Sequence, residues 1–477
     1  MTFTEKLMAW GGFAALAAST MPVSAAMRPA PDYLKGAVVY QIALRNFTRE
    51  GDFRAAERML GHIRSLGVDV VYLTPFVEMD RDMAWSGWSP RQRSGGYHTP
   101  KNPYRISDYD KVDPEYGGDA DFQSFNDRAH ALGMKVYMDL VYLHCGPNNV
   151  LKEKFPDAFQ RNADGTVRTT QWNWPYVNFE SKGVRKYLID SMLRWMRLGC
   201  DGFRRDVGDQ VPIDFWVEAV KTCQAVKPDL VMINEGTKVE WLEKAFDACY
   251  AWPWSFTIRH AINPKATTTC GHVKKGAKLS ESMRRVREYE AKVPAGTYMF
   301  CFMDNHDTAP DDHENRFDRI LPVEAGNVGF VLNFLRRGIA LVFNGNEIAD
   351  RAENSMFGAV EDIARAWRCV DWSRALQPDG QRRLALIRRL AELRHTVRAL
   401  QDGSQEWLEI SAPDSVIAFA RRLQDDSAVC VYGNVKDEPV EFELPSGADG
   451  TELLSYSVTR KGTSVRFGPW GYLALKR

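Results

Sequence analysis

The stretch GCDGFRRDVGD (199–209) sets Arg204, Arg205, Asp206 and Asp209 within six residues, directly after an apolar, glycine-bounded start. Read as a strand, it alternates its side chains between two faces, so Arg204 and Asp206 share one face and Arg205 takes the other. A guanidinium two residues from a carboxylate favours the ionised acid. That pairing suits an Asp206 that acts as an anion and leaves Arg205 to a structural role.

The runs on either side make this strand one of a series. AVVYQI (37–42), VDVVYLTP (68–75) and MKVYMDLVYL (134–143) precede CDGFRRD (200–206). LVMINE (230–235), FDACYAW (246–252), YMFCFMDNHD (298–307) and GIALVFNGNE (338–347) follow it. Between them lie amphipathic stretches such as FRAAERMLGHIRSLG and DFQSFNDRAHALG, apolar every three or four residues and ending in glycine. Eight strands separated by helices predict an α/β fold, the (β/α)8 TIM barrel. A doubly wound open sheet is the structural alternative, but it usually needs fewer strands.

At 477 residues the chain exceeds what one core usually supports, so a second domain is expected. After about residue 400 the pattern changes to SVIAFARRL, SAVCVYGNV, PVEFELP, TELLSYS, TSVRF and GYLALKR, short strands between turn residues. These predict a C-terminal antiparallel β-sandwich domain over 401–477. The barrel then occupies 27–400. It is interrupted at about 145–178 by an excursion rich in Asn, Pro, Gly and Trp, which reads as a short lid subdomain after the third strand.

Residues 1–26 read as a signal peptide with small residues at Ala25 and Ala26, so a secreted or periplasmic protein is expected. No other run approaches the length that spans a bilayer. A formal net charge of zero, with no basic run and no glycine-rich phosphate loop, argues against nucleic acid or a membrane surface as partner. The eight cysteines form no CxxC pair, which rules out an ordinary zinc ribbon; Cys200 and Cys301 read as small buried thiols. No cofactor is expected.

In a barrel, polar residues at C-terminal strand ends face the active-site mouth. The third strand ends with Asp139 and His144, the fourth carries Arg204 and Asp206, the fifth ends in Glu235, and the seventh ends in Asn305, His306 and Asp307. Each alone has a structural explanation, but their convergence on one face has a chemical logic. Breaking a glycosidic bond takes a proton for the departing oxygen and a carboxylate to meet the anomeric carbon. Glu235 follows the apolar VMIN, so partial burial raises its pKa and suits it to proton donation.

This ordered set resembles the α-amylase superfamily of retaining glycoside hydrolases, the family-thirteen type, over nearly all of the chain after the leader. GVDVVYLTP (67–75) resembles the second-strand motif and DLVYLH (139–144) the third. GFRRD (202–206) resembles the nucleophile motif, INEG (233–236) the acid/base motif, MDNHD (303–307) the transition-state carboxylate motif and GIALVFNGNE the eighth-strand motif. The resemblance implies that Asp206 is the nucleophile, Glu235 the acid/base and Asp307 the third carboxylate. It implies that Arg204 orients Asp206 with support from Asp139, and that His144 and His306 bind hydroxyls of the sugar being cleaved. A tyrosine should stack on that ring; Tyr97 and Tyr104 both qualify, and counting back from the YGG turn (116–118) favours Tyr104.

The implied substrate is an α-linked glucan or oligosaccharide, cleaved at α-glucosidic bonds through a covalent glycosyl-enzyme intermediate. A transglycosylase or sugar isomerase would use the same residues. A non-catalytic carbohydrate-binding protein on this fold is the reading from another class, and the presence of all three carboxylates argues against it. Three departures stand out. Leu143 replaces an asparagine that helps to ligate calcium in many relatives, and WPYVNF (174–179) lacks a calcium-loop aspartate, so no metal is expected. VGD (207–209) replaces a Lys-His pair, which puts long-chain binding on the leaving-group side in doubt. Ala340 replaces a common proline.

Overall fold

The computed structural model describes residues 30–477 except 90–91, 94–100, 264, 267–270, 272, 275, 310–315, 353–355, 357–368 and 448–449. The leader, Tyr97 and Cys270 lie outside the described residues. Among the described residues ten strands precede the C-terminal domain: β1 Val38–Ile42, β2 Val70–Leu73, β3 Val77–Met79, β4 Ile106–Val112, β5 Lys135–Leu140, β6 Gly202–Arg205, β7 Val231–Asn234, β8 Ala248–Tyr250, β9 Tyr298–Cys301 and β10 Ile339–Phe343. All except β3 and β4 close into one barrel in the order β1-β10-β9-β8-β7-β6-β5-β2, with parallel pairing throughout. The closed ring excludes the open-sheet alternative, and each of the eight predicted strands supplies one stave.

The strands' two-residue alternation makes two separate cores. Val39, Val70, Tyr72, Tyr137, Val231, Ile233, Tyr250, Phe300 and Leu341 fill the barrel interior. Their neighbours Val38, Val71, Val136, Met138, Phe203, Met232 and Val342 face outward into the helix layer. That layer holds α1 Phe53–Ser65, α2 Asp119–Ala131, α3 Lys182–Arg197, α4 Ile213–Val226, α5 Trp252–Ile262, α6 Leu279–Glu290, α7 Val323–Leu335 and α8 Pro378–Thr396. Local chemistry fixes where they start: the Asp52 side chain accepts from the Ala55 N–H at α1, and Ser181 accepts from the Val184 N–H at α3. At the barrel's base the buried Arg394 of α8 donates to the carbonyls of Gly36 (2.9 Å) and Gly338 (2.6 Å), tying the starts of β1 and β10 together.

The alternation of strand and helix is not strict. Between β7 and β8 there is only a 3-10 turn, Val239–Trp241, whereas β8 and β9 are separated by both α5 and α6. A second excursion, unmarked in the sequence reading, follows β2: β3 and β4 form a small antiparallel pair beside the barrel mouth. The 145–178 excursion has no long strand and is held by isolated bridges such as His144–Tyr176 and Thr169–Pro175.

The C-terminal domain is antiparallel, with β11 Ser404–Trp407, β12 Val416–Arg422, β13 Ala428–Asn434, β14 Val440–Glu443, β15 Thr451–Lys461 and β16 Ser464–Lys476. The order is β11-β12-β13-β16-β14, with β15 also on β16. TSVRF and GYLALKR, read as separate strands, are one strand: pairing with β15 lapses between Phe467 and Tyr472, where Trp470 takes a left-handed φ of 55°. Residues from both halves of β16 (Val465, Phe467, Leu473, Leu475) share a core with Ala418, Tyr432 and Phe442. The opposite face, including Phe419, Val431 and Ala474, joins the barrel's helix-layer core. Seven cysteines (145, 200, 223, 249, 301, 369 and 430) are buried and unbridged. Among the described residues no helix is long and apolar enough to cross a membrane.

Lid and mouth are joined by a buried cation. Arg105, immediately before β4, is fully buried and bonds the Asp80 carboxylate at 2.9 Å and the Asp82 carbonyl at 2.6 Å. The other Asp80 oxygen accepts the Asn148 N–H of the lid at 2.7 Å. Gly146 lies so close that a Cβ there would sit 2.3 Å from the Asp80 Cβ. Removing one partner of such a pair strands a buried charge, which costs about 3–5 kcal/mol. Arg105→Ala is therefore expected to lower stability by about that amount. Limited proteolysis should then cut within 145–178 at protease concentrations that spare the parent chain.

Candidate active site

Register brings the predicted residues together. β5 and β6 pair Asp139 directly with Arg204, and the Asp206 N–H continues the ladder to the Leu140 carbonyl at 2.9 Å. On the other side the Glu235 N–H reaches the Arg205 carbonyl at 3.2 Å. Asp139, Arg204, Asp206 and Glu235 thus gather at the C-terminal ends of three adjacent staves.

Arg204 is the centre of this group. Its side chain is wholly buried, with Nη1 bonding both Asp139 oxygens at 2.6 and 2.8 Å and Asp206 Oδ1 at 3.1 Å. Nη2 lies 2.8 Å from Glu235 Oε2. The Tyr250 ring lies beneath the guanidinium, 5.4 Å from ring centre to cation. One cation therefore touches three carboxylates, and Asp206 and Glu235 become neighbours by sharing it.

Burial works against charge on both acids. It pushes Asp206 up to about 7, a rise that Arg204 opposes and Asp139 and Asp307 reinforce. Burial lifts Glu235 well above the carboxylate range, with Asp206 and Asp307 adding to it. Arg204 was expected to hold Asp206 ionised; it does pull toward the anion, but desolvation outweighs the attraction. Both carboxyls are raised and share one cation, so the arrangement can offer one anion and one acid side by side.

The remaining predicted residues complete the wall. Asp307 is one-third exposed, and its Oδ2 lies 3.3 Å from His306 Nε2. His306 Nδ1 lies 2.6 Å from Gln41 Nε2, and its Nε2 lies 2.6 Å from the Tyr104 hydroxyl. Tyr104 also donates to Asp139 at 3.0 Å, and its ring lies parallel to the His306 ring at 5.6 Å. His144 Nε2 is 3.7 Å from Asp206 Oδ2. Burial pushes His144 down to about 3, so it stays neutral at physiological pH. The lid closes over it, with Trp174 and Trp172 at 4.9 and 5.1 Å between ring centres.

Arg205 points away, as alternation requires. It bonds the Asn234 side chain at 2.9 Å and lies among Trp216, Trp241 and Phe246, outside the barrel. Four further contributors were missed in the sequence. Gln41 orients His306, Tyr72 donates to Asp139 at 2.9 Å, Tyr250 underlies Arg204, and the Val207 N–H donates to Glu235 Oε2 at 2.7 Å. Strand alternation placed Gln41 inward and polar, a signal that was readable; the others depend on register and turn geometry.

Val207 is a β-branched residue held in the left-handed region, at φ 48° and ψ 53°, a strained conformation for such a side chain. The turn aims its N–H at Glu235. Next to it the Gly208 N–H meets the Glu235 carbonyl at 2.5 Å, and Asp209 accepts from the Thr237 N–H at 2.9 Å. VGD therefore locks the loop that carries Glu235.

The position of a family calcium site does not fit the ion. Leu143 lies in the apolar core with Val177 and Phe179 of the facing segment, and Trp174 of that segment is buried too. Among the described residues no three His, Cys, Asp or Glu side chains gather as a metal cluster. A cleft of about 340 Å³ on the lid, lined by Pro147, Phe155, Phe159 and Pro175 among others, includes none of the carboxylates above.

A closed parallel barrel with acids and a buried arginine at its C-terminal strand ends defines an architecture on which active sites occupy that face. Comparison with known proteins narrows it. Residues 35–171 match the family description "Alpha amylase, catalytic domain". The chain is 28% identical over 454 residues to an alpha-amylase of Haloarcula japonica, covering 90% of this chain and 60% of that protein's length. It is 25% identical to an intracellular maltogenic amylase of Bacillus subtilis, over 85% of this chain and 70% of the relative. A noncanonic maltogenic alpha-amylase from Thermotoga neapolitana has the same fold, with a TM-score of 0.75 and 24% identity over 93% of this chain and 99% of its own. The chain thus resembles the α-amylase superfamily in sequence and in fold.

The tight turn yields a paired test. At Gly208 a Cβ would meet the Glu235 carbonyl oxygen at 1.9 Å and Asn234 Oδ1 at 2.0 Å, whereas Gly61 in α1 has nothing within 4 Å. Gly208→Ala should destabilise by about 1–3 kcal/mol through overpacking. Gly61→Ala should stabilise by about 0.5–1 kcal/mol through helix propensity. Chemical denaturation of the two variants against the parent measures both signs.

Proposed function

We propose that the chain hydrolyses α-glucosidic bonds of oligo- or polysaccharides with retention of configuration, through a covalent glycosyl-enzyme intermediate. The observation that carries this reading is the sharing of Arg204 by Asp206 and Glu235, at 3.1 and 2.8 Å. Retention requires a nucleophile and an acid/base on one scissile bond, close enough to act in turn on the same carbon. In this reading Asp206 attacks the anomeric carbon while Glu235 protonates the departing oxygen. Glu235 then takes a proton from the water that releases the sugar. Asp307, His144 and His306 hold hydroxyls of the reacting ring, and Tyr104 closes its face. The names of the relatives, amylases and maltogenic amylases, favour α-linked glucose chains as the substrate class. Transfer to a sugar hydroxyl is the second reading, since the same intermediate accepts either nucleophile. Export rests on residues 1–26 alone.

Single-turnover kinetics separate the two acids. Glu235→Ala should retain first-bond cleavage on an aryl α-glycoside, whose leaving group needs little protonation, and accumulate a covalent adduct visible by intact-protein mass spectrometry. Asp206→Ala should form no adduct and lose both aryl and natural substrates. An adduct on Asp206→Ala, or equal loss of both substrates in a folded Glu235→Ala, would overturn the assignment.

The pH dependence follows from the same burial. Activity needs Asp206 ionised, and its raised pKa moves the acid limb of kcat/KM above the ordinary aspartate value of about 3.9, toward 7. It also needs Glu235 protonated, so the alkaline limb lies well above the ordinary glutamate value. Replacing Glu235 with Gln should abolish the alkaline limb on aryl glycosides and keep the acid one, read from kcat/KM across pH.

A further inference from the structure

Gln41 is a fully buried amide near the end of β1, on the strand face that carries Val39 into the barrel interior. An amide without solvent needs partners, and both ends of this one meet His306. Its Oε1 accepts the His306 backbone N–H at 3.3 Å, and its Nε2 lies 2.6 Å from His306 Nδ1. A backbone N–H can only donate, so the first contact fixes which way the amide faces. The group facing the ring, Nε2, can only donate as well. His306 Nδ1 is therefore the bare, accepting nitrogen, and the ring carries its proton on Nε2. A doubly protonated ring would set N–H against N–H.

The bonds on the far side of the ring agree. His306 Nε2 lies 2.6 Å from the Tyr104 hydroxyl and 3.3 Å from Asp307 Oδ2. Tyr104 donates its own proton to Asp139 Oδ2 at 3.0 Å, which leaves the phenol oxygen to accept. Asp139 also receives Arg204 Nη1 and the Tyr72 hydroxyl, so it accepts throughout. The direction of each bond thus follows from the two ends, an amide nitrogen and a carboxylate. We propose that Gln41 is a positioning residue that holds His306 as the Nε2–H tautomer, a fixed donor toward a hydroxyl oxygen of the reacting sugar. A neutral imidazole is otherwise free to carry its proton on either nitrogen. An Nδ1–H ring would turn a lone pair toward the sugar and toward the Asp307 carboxylate. The role in catalysis rests on the α-glucosidic reading of the site; the tautomer stands apart from it.

Histidine labelled with 15N in the full chain reads the tautomer directly, through long-range 1H–15N correlations at neutral pH. His306 is identified among the nine histidines by the signal that His306→Gln removes. The parent should show a protonated Nε2 and a bare Nδ1; an Nδ1–H ring or an imidazolium overturns the proposal. This reading does not depend on how variants of Gln41 fold. Gln41→Met keeps the length but offers sulfur, a weak acceptor with no proton to give. Its His306 should gain an Nδ1–H population, and kcat/KM on an aryl α-glucoside should fall about tenfold, the worth of one hydrogen bond. A tautomer unmoved in this variant, with or without a loss of rate, assigns Gln41 to packing and overturns its role. A shifted tautomer with kcat/KM unchanged overturns it too. A parent inactive on every α-glucoside overturns the hydrolytic reading, and the spectrum still decides the tautomer.

Discussion

The buried guanidinium of Arg204 is the constraint on which the site depends. A cation without solvent must be compensated by close anions, and here Asp139, Asp206 and Glu235 all fall within 3.1 Å. Those anions come from three consecutive staves, so the charge balance also fixes the register of β5, β6 and β7. Burial raises both Asp206 and Glu235 while the shared cation lowers them, so the protonation of the two is a property of the barrel mouth and not of either residue alone.

The two adjacent arginines show how strand alternation divides labour. Arg204 lies within the barrel among oxygens, whereas Arg205 lies outside among aromatic faces, where burial pushes it down to about 9. The turn that follows them carries backbone strain at Val207, and that strain aims a backbone donor at Glu235. A residue with free choice of conformation would leave Glu235 one partner poorer. The lid is treated the same way: Arg105 and Asp80 provide a permanent internal ion pair at its junction with the barrel mouth.

The barrel was legible because period-two apolar runs and period-3.6 stretches are both long, and each predicted strand contains its observed stave. Arg204 and Asp206 on one face and Arg205 on the other follow from alternation alone. The rest required three dimensions. Tyr72 and Tyr250 look like core aromatics until their neighbours show that they surround Asp139 and Arg204. The β3–β4 pair was hidden because β3 has only three residues. GPWG (468–471) reads as a turn, yet β16 runs through it by letting its pairing lapse. The helix expected between β7 and β8 is replaced by a 3-10 turn, since the loop is anchored by Asp209 rather than by an amphipathic face.

The helix α7 has a consequence for how the chain is made. Every residue in it but Glu324 is buried, so it has no watery side. One flank rests on the barrel, and the other is covered by β13 and β16, where Gly433 gives Val328 and Leu332 room to approach. Both covering strands follow α7 in the chain, β16 well after the whole barrel. During synthesis the ribosome therefore releases an oily rod before its cover exists. Nascent chains of this protein pass through a stage at which a finished-looking barrel still bears an uncovered apolar flank, and a message cut short before β13 would leave that flank permanently bare.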